Sequence, residues 1–322
     1  MTTLVADIGG TNARFALSEP DGALHHISKL RVADHPRFED ALRVYLDSVP
    51  QNPTEACLAV AGPSDEGRVA FTNSPWVVEG AALERALGLG RCMIVNDFQA
   101  LSRFAALTTP QDVVEIKSGE PLEGAPILTI GPGTGLGQGL LVPTPARPLT
   151  IPTEGGHVVL PAVGEAEAVI VEGLSDQLGR TATAEDAVSG PGLELLYQVM
   201  AGTAGEAALP ATAAEITAAA LKEDGPARRC VRQFCLFLAT VASNSCLGTG
   251  ARGGVLIAGG IPPRILPLIQ DSGFAERFVG TSKMRHYTED VPVRVLTADS
   301  AALRGAAALL TDDGHARAVL SG

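Results

Sequence analysis

A strand, a glycine-tipped turn and a returning strand occur twice in this chain, and no other feature limits its fold as much. The first copy runs Leu4-Val5-Ala6-Asp7, then Ile8-Gly9-Gly10-Thr11-Asn12, then Ala13-Arg14-Phe15-Ala16-Leu17. The second runs Pro126-Ile127-Leu128-Thr129-Ile130, then Gly131-Pro132-Gly133-Thr134-Gly135-Leu136-Gly137, then Leu140 to Val142. Short apolar runs bounded by glycine predict buried strands joined by tight turns. Two such hairpins about 120 residues apart point to an internal duplication of a βββαβαβα-like half.

The rest of the chain alternates between helix and strand. Phe38, Ala41, Leu42, Tyr45 and Leu46 recur at helical spacing after Pro36, which predicts a helix over 38–48. Strands are expected at Cys57 to Ala61, Cys92 to Val95, Gly254 to Ala258 and Pro292 to Leu296. Helices are expected near Ala81 to Leu87 and over Phe98 to Leu107, Ala166 to Leu178, Gly192 to Met200, Ala227 to Leu247 and Ala301 to Leu310. The 227–247 pattern is apolar around most of its circumference, so that helix is expected to be buried. Gly62 to Pro75 reads as irregular. This alternation defines an α/β fold, and 322 residues exceed the span of one compact core, so two lobes are expected.

Composition excludes several classes of function. Lys plus Arg number 24 against 36 Asp plus Glu, a formal charge of −12, which lacks the basic footprint that a nucleic-acid backbone selects. With 46% hydrophobic and 19% charged residues the chain can build a core, filled by Val, Leu, Ile and Ala because only 4% is aromatic. The five cysteines are odd in number and form no CxxC pair, as expected of free thiols in a reducing compartment. Apolar runs stop well short of the roughly 20 residues that span a bilayer. The N-terminal residues read as a first strand with no basic leader. A soluble, cytoplasmic protein without membrane or nucleic-acid partners is expected.

Six segments carry candidate chemistry, three of them with a plain structural reading beside it. Asp7, Gly9, Gly10, Thr11 and Asn12 put a carboxylate at a strand end before glycines whose backbone can approach phosphate oxygens; an ordinary hairpin turn would also use Gly-Gly. Gly133, Thr134 and Gly135 lie in a second glycine-dense turn, where Thr134 can donate to a phosphoryl oxygen. Neither turn is a Walker A loop, for no Gly-Lys-Ser/Thr follows. Asn96-Asp97 falls between a strand and a helix, at the carboxyl edge where open α/β sheets bind ligands, and is also suited to helix capping. Glu154-Gly155-Gly156-His157 sets an acid and an imidazole on either side of two glycines, while Glu185 precedes Ser189-Gly190-Pro191-Gly192 as a weaker candidate. Gly259 and Gly260 end a buried strand and offer a flat backbone wall for a nucleobase or ribose, or simply close packing. Gly248 to Gly253 spells GxGxxG but lies between a helix and a strand, the reverse of a dinucleotide site, and reads as a helix-ending loop.

In this order the segments resemble the bacterial glucokinases of the hexokinase-like, actin-type ATPase superfamily, over nearly the whole chain. Asp7 to Arg14 is similar to that family's first phosphate motif, Gly131 to Gly137 to the second, and Gly253 to Ile261 to its adenosine motif. Ile94 to Phe98, Glu154 to His157 and Ala184 to Gly192 resemble its sugar-contacting segments. The resemblance implies a duplicated actin-like ATPase (ribonuclease H-like) fold with two lobes around a central cleft, residues 1–108 plus 298–322 forming the smaller and 109–297 the larger. It implies Asp97 as catalytic base toward the 6-hydroxyl of D-glucose, with Asn96, Glu154, His157 and Glu185 holding other hydroxyls. It further implies ATP as donor, Mg²⁺ carried by ATP near Asp7, and a homodimer. The related ROK sugar kinases and repressors carry a Cys-rich zinc motif after the His segment. This chain has none, which sets it in the non-zinc, non-ROK group. A kinase for another hexose and a sugar-independent actin-like ATPase are the alternatives.

Overall fold

A computed structural model describes residues 2–62, 67–71, 74–205 and 211–321. In chain order its first half contains β1 (Thr3–Ile8), β2 (Asn12–Ser18), β3 (Leu24–Arg31), α1 (Phe38–Asp47), β4 (Glu55–Val60), β5 (Arg68–Ala70), β6 (Val77–Glu79), α2 (Gly80–Leu87), β7 (Arg91–Asn96), α3 (Asp97–Ala105), β8 (Val113–Lys117), β9 (Ile127–Pro132) and β10 (Leu136–Val142). There follow β11 (Leu149–Thr153), α4 (Glu165–Leu178), α5 (Gly190–Thr203), α6 (Ala213–Lys222), α7 (Pro226–Thr249), β12 (Gly254–Ile257), α8 (Leu266–Asp271), α9 (Phe274–Val279), α10 (Arg285–Thr288), β13 (Val293–Leu296) and α11 (Ala301–Ser321). The chain divides into two compact units. The first is Met1–Thr108, Pro145–Pro152 and Asp299–Gly322, and the second is Thr109–Thr144 and Thr153–Ala298. Part of the irregular 62–75 stretch lies outside the described residues; the rest holds β5, paired antiparallel with β6.

In the first unit the sheet order is β3-β2-β1-β4-β7. β1 pairs antiparallel with β2, Leu4 opposite Leu17 and Ala6 opposite Phe15, and parallel with β4. Both faces are covered, which is why β1 and β4 are apolar at nearly every position. Leu4, Ala6, Ile8, Phe15 and Leu58 face Phe38, Leu42 and Tyr45 of α1, together with Trp76. The rings of Phe15 and Tyr45 stack at 5.2 Å, and Trp76 meets Phe38 edge-on at 5.7 Å. On the opposite face Val5, Cys57, Ala59 and Val95 pack against Ala100 of α3 and Leu303, Ala306 and Leu310 of α11. Gly305 lets these two helices touch, since a Cβ there would run into the backbone carbonyl of Ala100.

The second sheet has the order β11-β10-β9-β12-β13-β8. β9 pairs antiparallel with β10 and parallel with β12, and β12 pairs parallel with β13. Strands β10-β9-β12-β13 therefore repeat the order and directions of β2-β1-β4-β7 in the first sheet. The core of this unit is built on α7, with Phe234, Phe237, Leu238 and Val241 buried. Among the described residues α7 is the one helix long and apolar enough to cross a bilayer, and 67% of that apolar window is buried inside the protein.

Candidate active site

In the first unit the candidate residues sit at the carboxyl ends of parallel strands, where side chains leave the sheet. Asp7 is the penultimate residue of β1 and pairs with Arg14, its register partner on β2, at 3.2 Å. Burial raises the Asp7 carboxyl above its ordinary value, against the opposing pull of Arg14. The turn that follows is closed by Gly9 N donating to Asn12 O at 3.0 Å. Neither Gly9 nor Gly10 adopts a positive φ, so the glycines are not there for left-handed backbone. A side chain on Gly10 would meet no atom within 4 Å. Glycine instead keeps this backbone bare, and Gly10 and Thr11 are exposed.

β7 ends at Asn96, and α3 begins with Asp97. The Asn96 Oδ1 caps α3 by accepting from Phe98 N at 2.9 Å and Gln99 N at 3.3 Å, while its Nδ2 donates to Gly62 O at 3.2 Å. Capping and candidate site thus coexist. The cap fixes the helix start, so that Asp97, whose Oδ1 accepts from Phe98 N at 3.0 Å, stands half-buried at the sheet edge.

In the second unit the glycine turn between β9 and β10 is bracketed by one segment. Gly133 N donates to Gly135 O, and Gly133 O accepts from Gly190 N, both at 2.8 Å. The Glu185 Oε2 accepts from Leu136 N at 2.7 Å, and a side chain on Gly135 would fall on that carboxylate. Thr134 is exposed at the tip. The Glu154–His157 turn lies beside it, with His157 Nε2 3.7 Å from Glu154 Oε2 and both side chains open to solvent. Glu185 N donates to Gly156 O at 2.9 Å, and Gly156 packs on the Leu136 carbonyl. Glu154, His157 and Glu185 therefore belong to one tied assembly that includes the second glycine turn. Ser189 caps α5 through Gly192 N at 2.9 Å, so Ser189 to Gly192 is a helix start and not a free loop. Gly259, at φ +87°, rests on Pro132 and Gly131, which brings the Gly259-Gly260 pair against the same turn.

Three residues of these surroundings have no role assigned in the sequence reading. Arg14 is legible from hairpin register, because counting back from the turn puts it opposite Asp7. Asp186 binds Arg180 at 2.7 and 2.8 Å and accepts from Thr183 N and Oγ1, which locks the turn that presents Glu185. Gln138 lies under Gly155, and its sequence signal is a lone polar residue in the glycine-rich, apolar β10. Among the described residues no group of three His, Cys, Asp or Glu could hold a metal ion. A groove of about 350 Å³ beside Ile170, Tyr197 and Met200 contains none of the candidate residues.

The strand order β2-β1-β4-β7 recurs as β10-β9-β12-β13, with a glycine turn after β1 and after β9, which is the arrangement of the actin-like ATPase fold and places the chain in that class. Within it the chain belongs to the glucokinase family, whose model matches residues 4–313. It is 42% identical over 312 residues to a glucokinase of Pseudomonas aeruginosa, covering 95% of this chain and 94% of that one. The crystal structure of a glucokinase from an Antarctic psychrotroph is similar with a TM-score of 0.87 at 36% identity, covering 97% of this chain and 99% of its own. A ROK family glucokinase from Streptomyces griseus, solved in complex with glucose and AMPPNP, reaches a TM-score of 0.67 at 18% identity, covering 96% and 99%. That likeness is of fold alone. It corrects the expectation of a non-ROK chain to this extent: the fold does not set the chain apart from ROK sugar kinases.

Proposed function

We infer that this chain is an ATP-dependent glucokinase, transferring the γ-phosphoryl group of ATP to the 6-hydroxyl of D-glucose, with Asp97 as the base. The observation that carries the reading is Glu185. Its carboxylate accepts from Leu136 N in the second glycine turn and its backbone N–H donates to Gly156 O, which supports reading Glu154, His157 and Glu185 as one sugar-binding set joined to a phosphate-binding turn. An ATPase that ignores sugar has no use for that union.

The chemistry follows from the residue types. A hexose presents hydroxyls that both donate and accept, which suits the Asn96 amide, the Glu154 and Glu185 carboxylates and the His157 imidazole. As the new O–P bond forms and the bond to ADP breaks, the Asp97 carboxylate takes the proton of the attacking hydroxyl. Phosphoryl transfer asks the protein chiefly for positioning and charge stabilisation. The bare backbone at Gly10 and Gly133, where an added Cβ would meet nothing within 4 Å, fits close approach of phosphate oxygens. Gly259 and Gly260, resting against the second glycine turn, would offer bare backbone to the nucleoside. Asp7, with Gly9 through Asn12, would hold Mg²⁺ through its water shell, and the ion supplies neutralisation of phosphate charge.

The division into a smaller lobe of 1–108 plus 298–322 and a larger lobe of 109–297 is proposed with this reading. So are a cytoplasmic setting and a homodimer, both from the family resemblance. After His157 the next cysteine is Cys230, so the Cys-rich zinc motif of ROK sugar kinases does not follow it. The test is Asp97→Asn. Loss of a positioned base should lower kcat by about 10²- to 10⁴-fold, with KM for glucose changed only a few-fold. A variant that keeps full kcat rejects Asp97 as the base.

A further inference from the structure

We propose that Gln138 is a positioning residue for glucose, acting through the Glu154–His157 turn. It stands on β10 with only 4% of its surface exposed. Its Oε1 accepts from Ser245 Oγ of α7 at 3.0 Å, while its Nε2 has no hydrogen-bond partner among the described residues. The amide lies flat against Gly155: a Cβ built there would stand 2.6 Å from Gln138 Cδ and 3.0 Å from Nε2. The backbone of Gln138 is engaged as well, its carbonyl accepting from Thr153 Oγ1 at 3.4 Å, and that oxygen in turn accepts from Gly155 N at 3.4 Å.

Burying a polar group without its full complement of hydrogen bonds costs free energy, and an apolar residue of the same length would fill the volume without that cost. What the amide adds is a planar floor of fixed height under a residue that has no side chain. Gly155 is flanked by Glu154 and precedes His157 by two, and the turn is closed by His157 N donating to Glu154 O at 3.0 Å. A shift of that floor therefore moves both exposed side chains together while leaving Asp97 untouched. Positions of hydroxyl-binding groups are felt at fractions of an ångström, so the effect falls on sugar binding and not on the phosphoryl-transfer step.

The inference rests on the reading of Glu154 and His157 as sugar ligands, and the experiment separates the two. Steady-state kinetics at saturating Mg-ATP are measured for Gln138→Leu, Ser245→Ala, Gly155→Ala, the double variant Gly155→Ala with Gln138→Ala, and Glu154→Gln as control. Gln138→Leu should raise KM for glucose about tenfold, with kcat and KM for ATP within twofold of wild type, a split that general destabilisation does not give. Gly155→Ala should raise KM further. Adding Gln138→Ala should recover much of that loss, because the new methyl then finds room. Ser245→Ala should move KM the same way by a smaller factor, and it carries the test should Gln138→Leu fail to fold. Unchanged KM in Gln138→Leu and Ser245→Ala, or strictly additive effects in the double variant, overturns the proposal. If Glu154→Gln itself leaves KM for glucose unchanged, the reading of the turn as a sugar site is what fails.

Discussion

At Asp7 the fold works against its own stability. Burial raises this carboxyl, so the charged form is less favourable in the folded chain than in the unfolded one. The penalty is present at pH values above the folded pKa and disappears below the unfolded value of 3.8. Asp7→Asn should accordingly raise Tm at pH 7 while lowering kcat, measured by thermal denaturation beside the kinetic assay. A lower Tm would mean that the Arg14 pair outweighs burial. Asp186 has the opposite sign. Burial alone would lift it, yet the bonds from Arg180 and Thr183 outweigh burial and bring it to about 2 from an ordinary 3.8. Its contribution is complete above pH 4 and is lost as pH falls toward 2. A shift of this size, discounted for screening at the half-exposed Arg180, is worth about 1–2 kcal/mol. Asp186→Ala should lose that stability at pH 7, converge on wild type near pH 2, and raise KM for glucose because the turn presenting Glu185 loosens.

Among the elements, α3 is placed by contact with α11 at a glycine. Gly305→Ala inserts a methyl against the Ala100 carbonyl, an overpacking of backbone that costs about 1–3 kcal/mol. Because α3 begins at Asp97, the same variant should lower kcat, and unaltered Tm and kcat would show that the two helices can part freely. Which elements the sequence betrays follows from burial. The hairpins of β1 with β2 and β9 with β10 are legible because two-sided burial leaves continuous apolar runs cut off by glycine. β3, Leu24-His25-His26-Ile27-Ser28-Lys29-Leu30-Arg31, hides because an edge strand facing solvent accepts polar residues throughout. α6 carries a legible start in its Thr212–Glu215 capping box, but its alanine-rich body gives no clear apolar stripe. The candidate residues at strand ends are visible as motifs. The role of Gln138 is not, because it depends on a turn folding back across β10, and no local pattern encodes that contact.

For the molecule as a whole, duplication explains why two glycine turns of this kind exist at all. The strand order β2-β1-β4-β7 recurs as β10-β9-β12-β13, with a glycine turn after β1 and after β9, and each turn has a carboxylate against it, Asp7 in one and Glu185 in the other. The two carboxylates differ in what holds them. Asp7 is bound by an arginine, whereas Glu185 is bound by the turn's own backbone and by the segment that carries Glu154 and His157. Nucleotide chemistry alone would be served by the first arrangement. Under the proposed reading the second would tie phosphoryl transfer to a sugar. The most direct test is ADP release from Mg-ATP by the purified wild-type protein, with and without glucose. Rapid release that requires glucose and is matched by glucose 6-phosphate is the expected result, whereas equal release in the absence of sugar would contradict the assignment and mark the chain as a sugar-independent ATPase.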